Sequence, residues 1–290
     1  MSNQLSDGSD GESLAGSASL TTPQILDLPS RQRVIGLAGE KGSGKDASAR
    51  FIAGINLVKH GYIEEFHSLA NGSIEIAGKP YKDINGLAPA FVKVYHFADY
   101  LKQIVHDLLG VPWDSLEKWK NSSTRYKWSD MPGVVTNEEV FNAVDKFLQK
   151  KQELVGPHYT LPITFKKDNF MTAREILQYV GTDLFRKMNS WCWSNYLIEK
   201  IKQDDTSIAI VADVRFINEL DAIKRVGGLN IKLTKGSGKD SHPSENDFLS
   251  YQDWDAIIDN VDCKNIRCLN QKLYEGLVGL GVYNAIMPVQ

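Results

Sequence analysis

Val34-Ile35-Gly36-Leu37-Ala38 runs directly into Gly39-Glu40-Lys41-Gly42-Ser43-Gly44-Lys45-Asp46. A short apolar run reads as a buried parallel strand. The glycines that follow let the backbone curl so that successive N–H groups point inward, where they can cradle phosphate oxygens. Residues from Lys45 to about Val58 read as a helix, whose N-terminus adds partial positive charge. Strand, G-x-x-x-x-G-K loop and helix in that order predict a phosphate-binding loop on a parallel α/β sheet. On that expectation Lys45 reaches the β- and γ-phosphates of a bound nucleotide. The competing reading is a glycine-rich surface turn.

The hexapeptide KGSGKD recurs at Lys235–Asp240. There Leu233 and Thr234 stand where the first copy has Gly39 and Glu40. Pro243 disfavours helical geometry at His242, so no helix is expected to start at Lys239. The second copy therefore reads as a mobile surface loop whose lysines can approach a nucleotide from above.

Asp46 stands where Ser or Thr usually ligates Mg²⁺. A carboxylate can hold Mg²⁺ directly or through water; equally, it can simply favour the helix N-terminus. Ile208–Ala212 reads as a second buried strand and ends at Asp213, the position of a metal-side aspartate. Arg215 then faces the same crevice, where it can stabilise transferring phosphate charge. A structural Asp–Arg pair is the alternative.

Arg174, Gln178 and Gly181 share one face at helical spacing, and Ile176, Leu177 and Val180 form an apolar stripe. Arg suits phosphate and Gln suits a base edge; a solvated helix face is the alternative. Thr172 and Glu175 form a capping-box signature for this helix, which is expected to stop at Gly181. A further helix is expected over about Leu184–Gln203. Trp191 reads as core, and His96, in an apolar strand, as a satisfied core histidine.

The remaining expectations concern organisation. Residues 1–30 carry too little apolar surface to order and read as a disordered tail. Residues 31–290 read as a single α/β domain with a parallel sheet covered by helices. Within it lie a helical region over about 98–203 and a small inserted hairpin over about 61–80, centred on Asn71-Gly72. Lys93–Phe97 reads as a strand, Asp99–Leu109 as a helix, and Glu138–Lys151 as another. The formal net charge of −3 disfavours wholesale binding to nucleic acid or anionic membrane. Three cysteines without CxxC spacing suggest neither a disulfide framework nor a zinc site and fit a reducing cytoplasm.

GEKGSGKD, HFADYLK (His96–Lys102), REILQYVGTD (Arg174–Asp183), WSN (Trp193–Asn195), ADVRFINE (Ala212–Glu219) and DSHPSE (Asp240–Glu245) occur in that order. Together they resemble the bacteriophage deoxynucleoside monophosphate kinases, over roughly Arg33 to Ile258. The resemblance implies a P-loop nucleoside-phosphate kinase core with a helical acceptor-binding insertion. It implies ATP, with Gly39, Lys41, Gly42, Ser43, Gly44, Lys45, Asp46 and Ala47 around its phosphates, and a deoxynucleoside monophosphate (dNMP) acceptor; Mg²⁺ would then sit beside Asp46 and Asp213. It also implies a homodimer in the cytoplasm, the host cytoplasm for a phage protein. Lys45, Asp213, Arg174 and Arg215 would carry the transfer. Lys41, Phe97, Lys102, Arg125, Arg174, Gln178, Gly181, Thr182, Trp193, Asn195 and Arg215 would surround the acceptor, Arg125 as a looser match. The Gly236–Gly238 loop or the Ser122–Pro132 stretch would close over the site. The alternatives are a P-loop kinase of another small phosphorylated acceptor, such as phosphomevalonate, and a non-catalytic nucleotide-binding switch.

Overall fold

The computed structural model describes residues 32–118, 123–127, 134–135, 138–139, 142–143, 145–146, 149, 164–165, 170–236 and 247–283. The expected N-terminal tail, the Ser122–Pro132 closing stretch, most of the second KGSGKD and the DSHPSE run lie wholly or mainly outside these residues, and the helix expected over Glu138–Lys151 lies partly outside them.

The chain opens with strand β1 (Arg33–Ala38) and helix α1 (Lys45–Lys59), as the phosphate-loop pattern requires. A ribbon of β2 (His67–Ser68), β3 (Ile74–Ile76) and β4 (Lys79–Tyr81) follows. The expected two-stranded hairpin is in fact a three-stranded antiparallel meander. The expectation rested on Asn71-Gly72 alone; a second turn at Ala77-Gly78, both residues at positive φ, adds the third strand.

Next come β5 (Val92–Tyr95), α2 (Phe97–Leu109) and α3 (Trp113–Lys118). Short strands β6 (Arg125–Lys127), β7 (Val134–Val135), β8 (Thr164–Phe165) and β9 (Phe170–Thr172) pair as β6 with β9 and β7 with β8. Helix α4 (Ala173–Gln178) starts at the predicted capping box. It does not stop at Gly181, however, but widens into a π-helix over Tyr179–Arg186. Glycine can end a helix but does not have to, and here burial against α2 keeps the segment helical. Helix α5 (Cys192–Asp204) accordingly starts later than expected. The chain finishes with β10 (Ile208–Val214), α6 (Ile217–Arg225), β11 (Leu229–Leu233), a 3₁₀ turn (Asp247–Ser250), β12 (Ala256–Ile258) and α7 (Ile266–Gly279).

The central sheet has the order β12-β11-β1-β10-β5, and every pairing in it is parallel. Alternate residues serve two layers. Ile35, Leu37, Ile210 and Ala212 pack with Ile52 of α1 and Leu273 of α7, whereas Val34, Ala38, Ala209 and Val211 pack with Leu197 of α5 and Ile223 of α6. Both faces are thus covered, which suits a parallel sheet. A third cluster joins Val105, Leu116, Met171, Ile176 and Val180 from α2, α3, β9, α4 and the π-helix. It anchors the helical region beside the sheet.

β1 lies between β10 and β11; the chain leaves it for β5 beyond β10 and later crosses from β10 to β11 on its other side. That is a topological switch point, where ligands of open parallel sheets sit beyond the carboxyl ends of the strands. Gly39, His96, Thr234 and Asp259 follow such ends, and Asp213 lies among the last residues of β10.

The cysteines depart from expectation. Cys263 and Cys268 form a disulfide, with Cα atoms 5.4 Å apart. The turn into α7, capped by Asn265 on the Cys268 N–H, draws them together, a proximity that spacing alone does not reveal. Cys192 is a free thiol.

Candidate active site

The loop after β1 curls as the glycines allow. Gly44, at φ 97°, caps α1, and Ser43 N–H donates to the Glu40 carbonyl over 3.1 Å. Lys45 folds its ammonium back onto the carbonyls of Gly39 (2.6 Å) and Glu40 (2.9 Å). The buried Ser43 carbonyl accepts a 2.8 Å hydrogen bond from the Asn260 amide, and the Asn260 oxygen accepts from Lys235 N–H at 2.8 Å. The second KGSGKD thus begins at the rim of the first. Gly236 lies so close to Glu40 that an added Cβ would overlap its carboxylate.

A cleft of about 260 Å³ opens between this loop and the helical region. Lys41, Gly42, Lys45, Asp46, Phe97, Lys102, Arg174, Gln178, Gly181, Thr182, Trp193, Asp213 and Arg215 line it, so most of the candidate residues from both halves of the sequence converge. Gly39, Ser43, Gly44, Ala47, Asn195 and Arg125 do not line it. Ser43 is buried beneath the loop. Arg125 is exposed on β6 and donates to the Phe170 carbonyl at 2.9 Å.

Cation-bearing and carboxylate groups divide the cleft. Asp213, at the end of β10, accepts from Phe97 N–H over 2.8 Å, which fixes the start of α2. Asp46 lies in the first turn of α1, 3.3 Å from His96 Nε2, and His96 Nδ1 lies 3.4 Å from Asp99. Burial pulls the His96 pKa down, but the two carboxylates outweigh it and raise the value to about 10. The same hydrogen bond holds Asp46 below the usual carboxylate range. His96 is therefore not the satisfied core histidine expected from its strand. It stands at the N-cap of α2, half-buried, linking that helix to α1. Among the described residues no group of three or more His, Cys, Asp or Glu side chains could by itself hold a metal ion. Two oxygen-bearing side chains beside the glycine-rich loop do suit Mg²⁺, which keeps waters and shares phosphate ligands.

On the helical side of the cleft, Arg174 and Gln178 of α4 continue onto Gly181, Thr182 and Arg186 of the π-helix. The wider π turns, a rare geometry frequent at functional sites, keep Arg186 on the same wall. Gly181 is required by close approach: a Cβ there would sit 2.6 Å from Leu101 Cδ2. Its carbonyl also accepts from the Trp193 indole N–H at 3.0 Å, and Trp193 packs against Phe185.

Arg186, Phe216 and Glu219 line the cleft as well, and sequence reasoning did not single them out. Glu219 carried a signal. It stands three residues after Phe216, the N3 spacing of a helix-capping glutamate. Burial, the largest influence on its carboxyl, pushes its pKa up, while Arg186 and the Arg215 N–H act the other way. Arg186 and Asn260 carried no comparable signal.

The sequence model of the deoxynucleotide monophosphate kinase family matches residues 127–272. That span contains Arg174, Gln178, Gly181, Arg215 and Glu219 and begins well after the phosphate loop. The chain is 26% identical over 230 residues, 73% of this chain and 83% of the relative, to the deoxynucleoside-5'-monophosphate kinase of Escherichia phage T5. It is 33% identical over 106 residues to a protein of Acanthamoeba polyphaga mimivirus whose name assigns it deoxynucleotide monophosphate kinase activity provisionally. That match spans 31% of this chain and 53% of the relative.

Proposed function

The chain belongs to the deoxynucleotide monophosphate kinase family, and we propose that the cleft between the Lys45 loop and the Arg174–Arg215 wall is where it transfers the γ-phosphate of ATP to a dNMP. The activity is that of a dNMP kinase, with ATP as donor. The residue roles are our reading, carried by one observation: the loop cations Lys41 and Lys45 and the arginines Arg174 and Arg215 line the same cleft.

In this reading the backbone N–H groups of Gly42–Lys45 and the Lys45 ammonium hold the donor phosphates. To do so Lys45 exchanges its two carbonyl partners for phosphate oxygens. Arg174 and Arg215 grip the acceptor phosphate, and Gln178, Phe97 and Trp193 contact its base. An acceptor phosphate oxygen attacks the γ-phosphorus. The bond to the β-bridging oxygen breaks, and ADP leaves with that electron pair. The attacking oxygen is already anionic, so no strong general base is required. The protein's work is alignment of two anions and neutralisation of charge in flight. Asp46 and Asp213 would hold Mg²⁺, directly or through water, and the ion would supply further charge neutralisation at the donor phosphates.

The reading extends to a homodimer in the cytoplasm without nucleic-acid or membrane binding. Family resemblance and the formal net charge of −3 support this part, and no helix among the described residues is long and apolar enough to cross a membrane.

The test is ADP release coupled to NADH oxidation, run with each of the four dNMPs, the matching ribonucleotides, mevalonate phosphate and no acceptor. Release that depends on a dNMP is expected. Release with mevalonate phosphate alone, or ATP binding without acceptor-dependent release, would overturn the reading.

A further inference from the structure

Glu219 is 1% exposed, in the first turn of α6 at the cleft wall. Its carboxylate meets three donors. Oε2 accepts from the backbone N–H of Arg215 at 2.8 Å and of Phe216 at 3.2 Å. Oε1 is paired with the Arg186 guanidinium. That guanidinium lies 3.6 Å from the centroid of the Phe216 ring and reaches Asn218 Oδ1 at 3.5 Å, and its side chain is only 12% exposed. Arg186 comes from the π-helix and Arg215 from the end of β10, so one carboxylate ties together two elements that both line the cleft.

A buried ion pair of this kind is weak evidence for stability. An apolar pair of similar volume often serves as well, whereas loss of one partner leaves a buried charge uncompensated. Its place at a cleft wall points to another reason. A guanidinium held flat on an aromatic ring and paired to a carboxylate has lost its freedom before any ligand arrives. Preorganised cations stabilise developing phosphate charge without reordering at the moment of transfer.

Resting on the kinase reading above, we propose that Glu219 is a positioning residue: its carboxylate fixes the Arg215 backbone turn and the Arg186 guanidinium together, so that both arginines are preset for the phosphate of the acceptor nucleotide. Arg186 is then a third acceptor-side arginine, beside Arg174 and Arg215.

The experiment compares wild type, Glu219→Gln and Arg186→Lys by steady-state kinetics with dNMP varied at saturating ATP, by calorimetric titration of ATP alone, and by melting temperature. Gln keeps an acceptor for the two N–H groups but leaves Arg186 without its counter-charge. Lys keeps the charge of Arg186 but loses its planar stacking and fork. Both variants are expected to lose about 10–100-fold in kcat/KM for dNMP, with a raised KM for dNMP, while the ATP dissociation constant stays within about twofold of wild type. A purely structural role would instead lower the melting temperature and the active fraction while leaving KM for dNMP in place. If Glu219→Gln does not fold, Arg186→Lys carries the test. A folded variant with wild-type kcat and KM for dNMP overturns the positioning role alone. A wild type without dNMP-dependent ADP release overturns the kinase reading and takes this proposal with it.

Discussion

The side-chain amide of Asn260 donates to the backbone carbonyl of Ser43 over 2.8 Å, across 217 residues of sequence. Asn260 is 1% exposed, and its oxygen simultaneously accepts from Lys235 N–H. One buried amide thus fastens the first KGSGKD to the start of the second. Asn260→Asp retains the shape and the Lys235 contact but turns a carboxylate oxygen towards the Ser43 carbonyl. Leaving a buried acceptor unsatisfied costs about 1–3 kcal/mol. The expected result is a KM for ATP raised about tenfold with KM for dNMP nearly unchanged, measured by initial rates with each substrate varied in turn.

Lys45→Ala should abolish measurable transfer, with kcat lower by about 100- to 1,000-fold. The Lys45 ammonium donates to the Gly39 and Glu40 carbonyls of its own loop, bonds that join no distant elements of the fold. The melting temperature should therefore stay within about 2 °C of wild type. Turnover close to wild type would remove Lys45 from the mechanism.

Gly54 faces the Phe66 ring across α1, and an added Cβ would lie 2.8–2.9 Å from three ring atoms. Two effects compete in Gly54→Ala. Alanine gains about 0.5–1 kcal/mol of helix propensity, and overpacking costs about 1–3 kcal/mol. Sterics should win, and thermal denaturation should show a lowered midpoint. Adding Phe66→Leu should recover part of the loss.

Asp204 accepts from Lys93 at 2.7 Å and from the Tyr95 hydroxyl at 3.1 Å, and pairs with Lys200. Burial raises its pKa, but these three partners prevail and the net shift is downward. A depressed carboxylate stabilises the fold at pH values above its unfolded pKa. That contribution disappears as pH falls through the lower, folded value. Asp204→Asn should therefore cost about 1–2 kcal/mol at pH 7, and the difference from wild type should shrink as pH falls through and below the ordinary carboxylate range. Urea melts across that range would measure it.

The Cys263–Cys268 disulfide leaves Cys192 as the free thiol. Denatured, unreduced protein should react with one equivalent of a thiol reagent per chain, and reduced protein with three. Three equivalents before reduction would exclude the disulfide.

Much of the site was legible because its chemistry is written in contiguous runs. Gly39–Asp46 needs its glycines and lysine at fixed spacing to form one loop, and Arg174, Gln178 and Gly181 need only helical spacing to share a wall. The ribbon was half legible, since Asn71-Gly72 announces its turn and Ala77-Gly78 does so faintly. The extension of α4 past Gly181 was not, because the glycine is there for Leu101 and not to end a helix.

By itself the sequence determined the glycine-rich turn between β1 and α1, the parallel sheet that carries it and the face that α4 presents, since each depends on local backbone geometry and residue period. Tertiary structure decided the rest: His96 against Asp46, Arg186 on Glu219 and Asn260 beneath Ser43, at separations of 50, 33 and 217 residues. These pairs exist because a parallel sheet delivers the carboxyl ends of all its strands to one edge. Segments remote in sequence then meet at a single rim, where their polar groups find partners in one another.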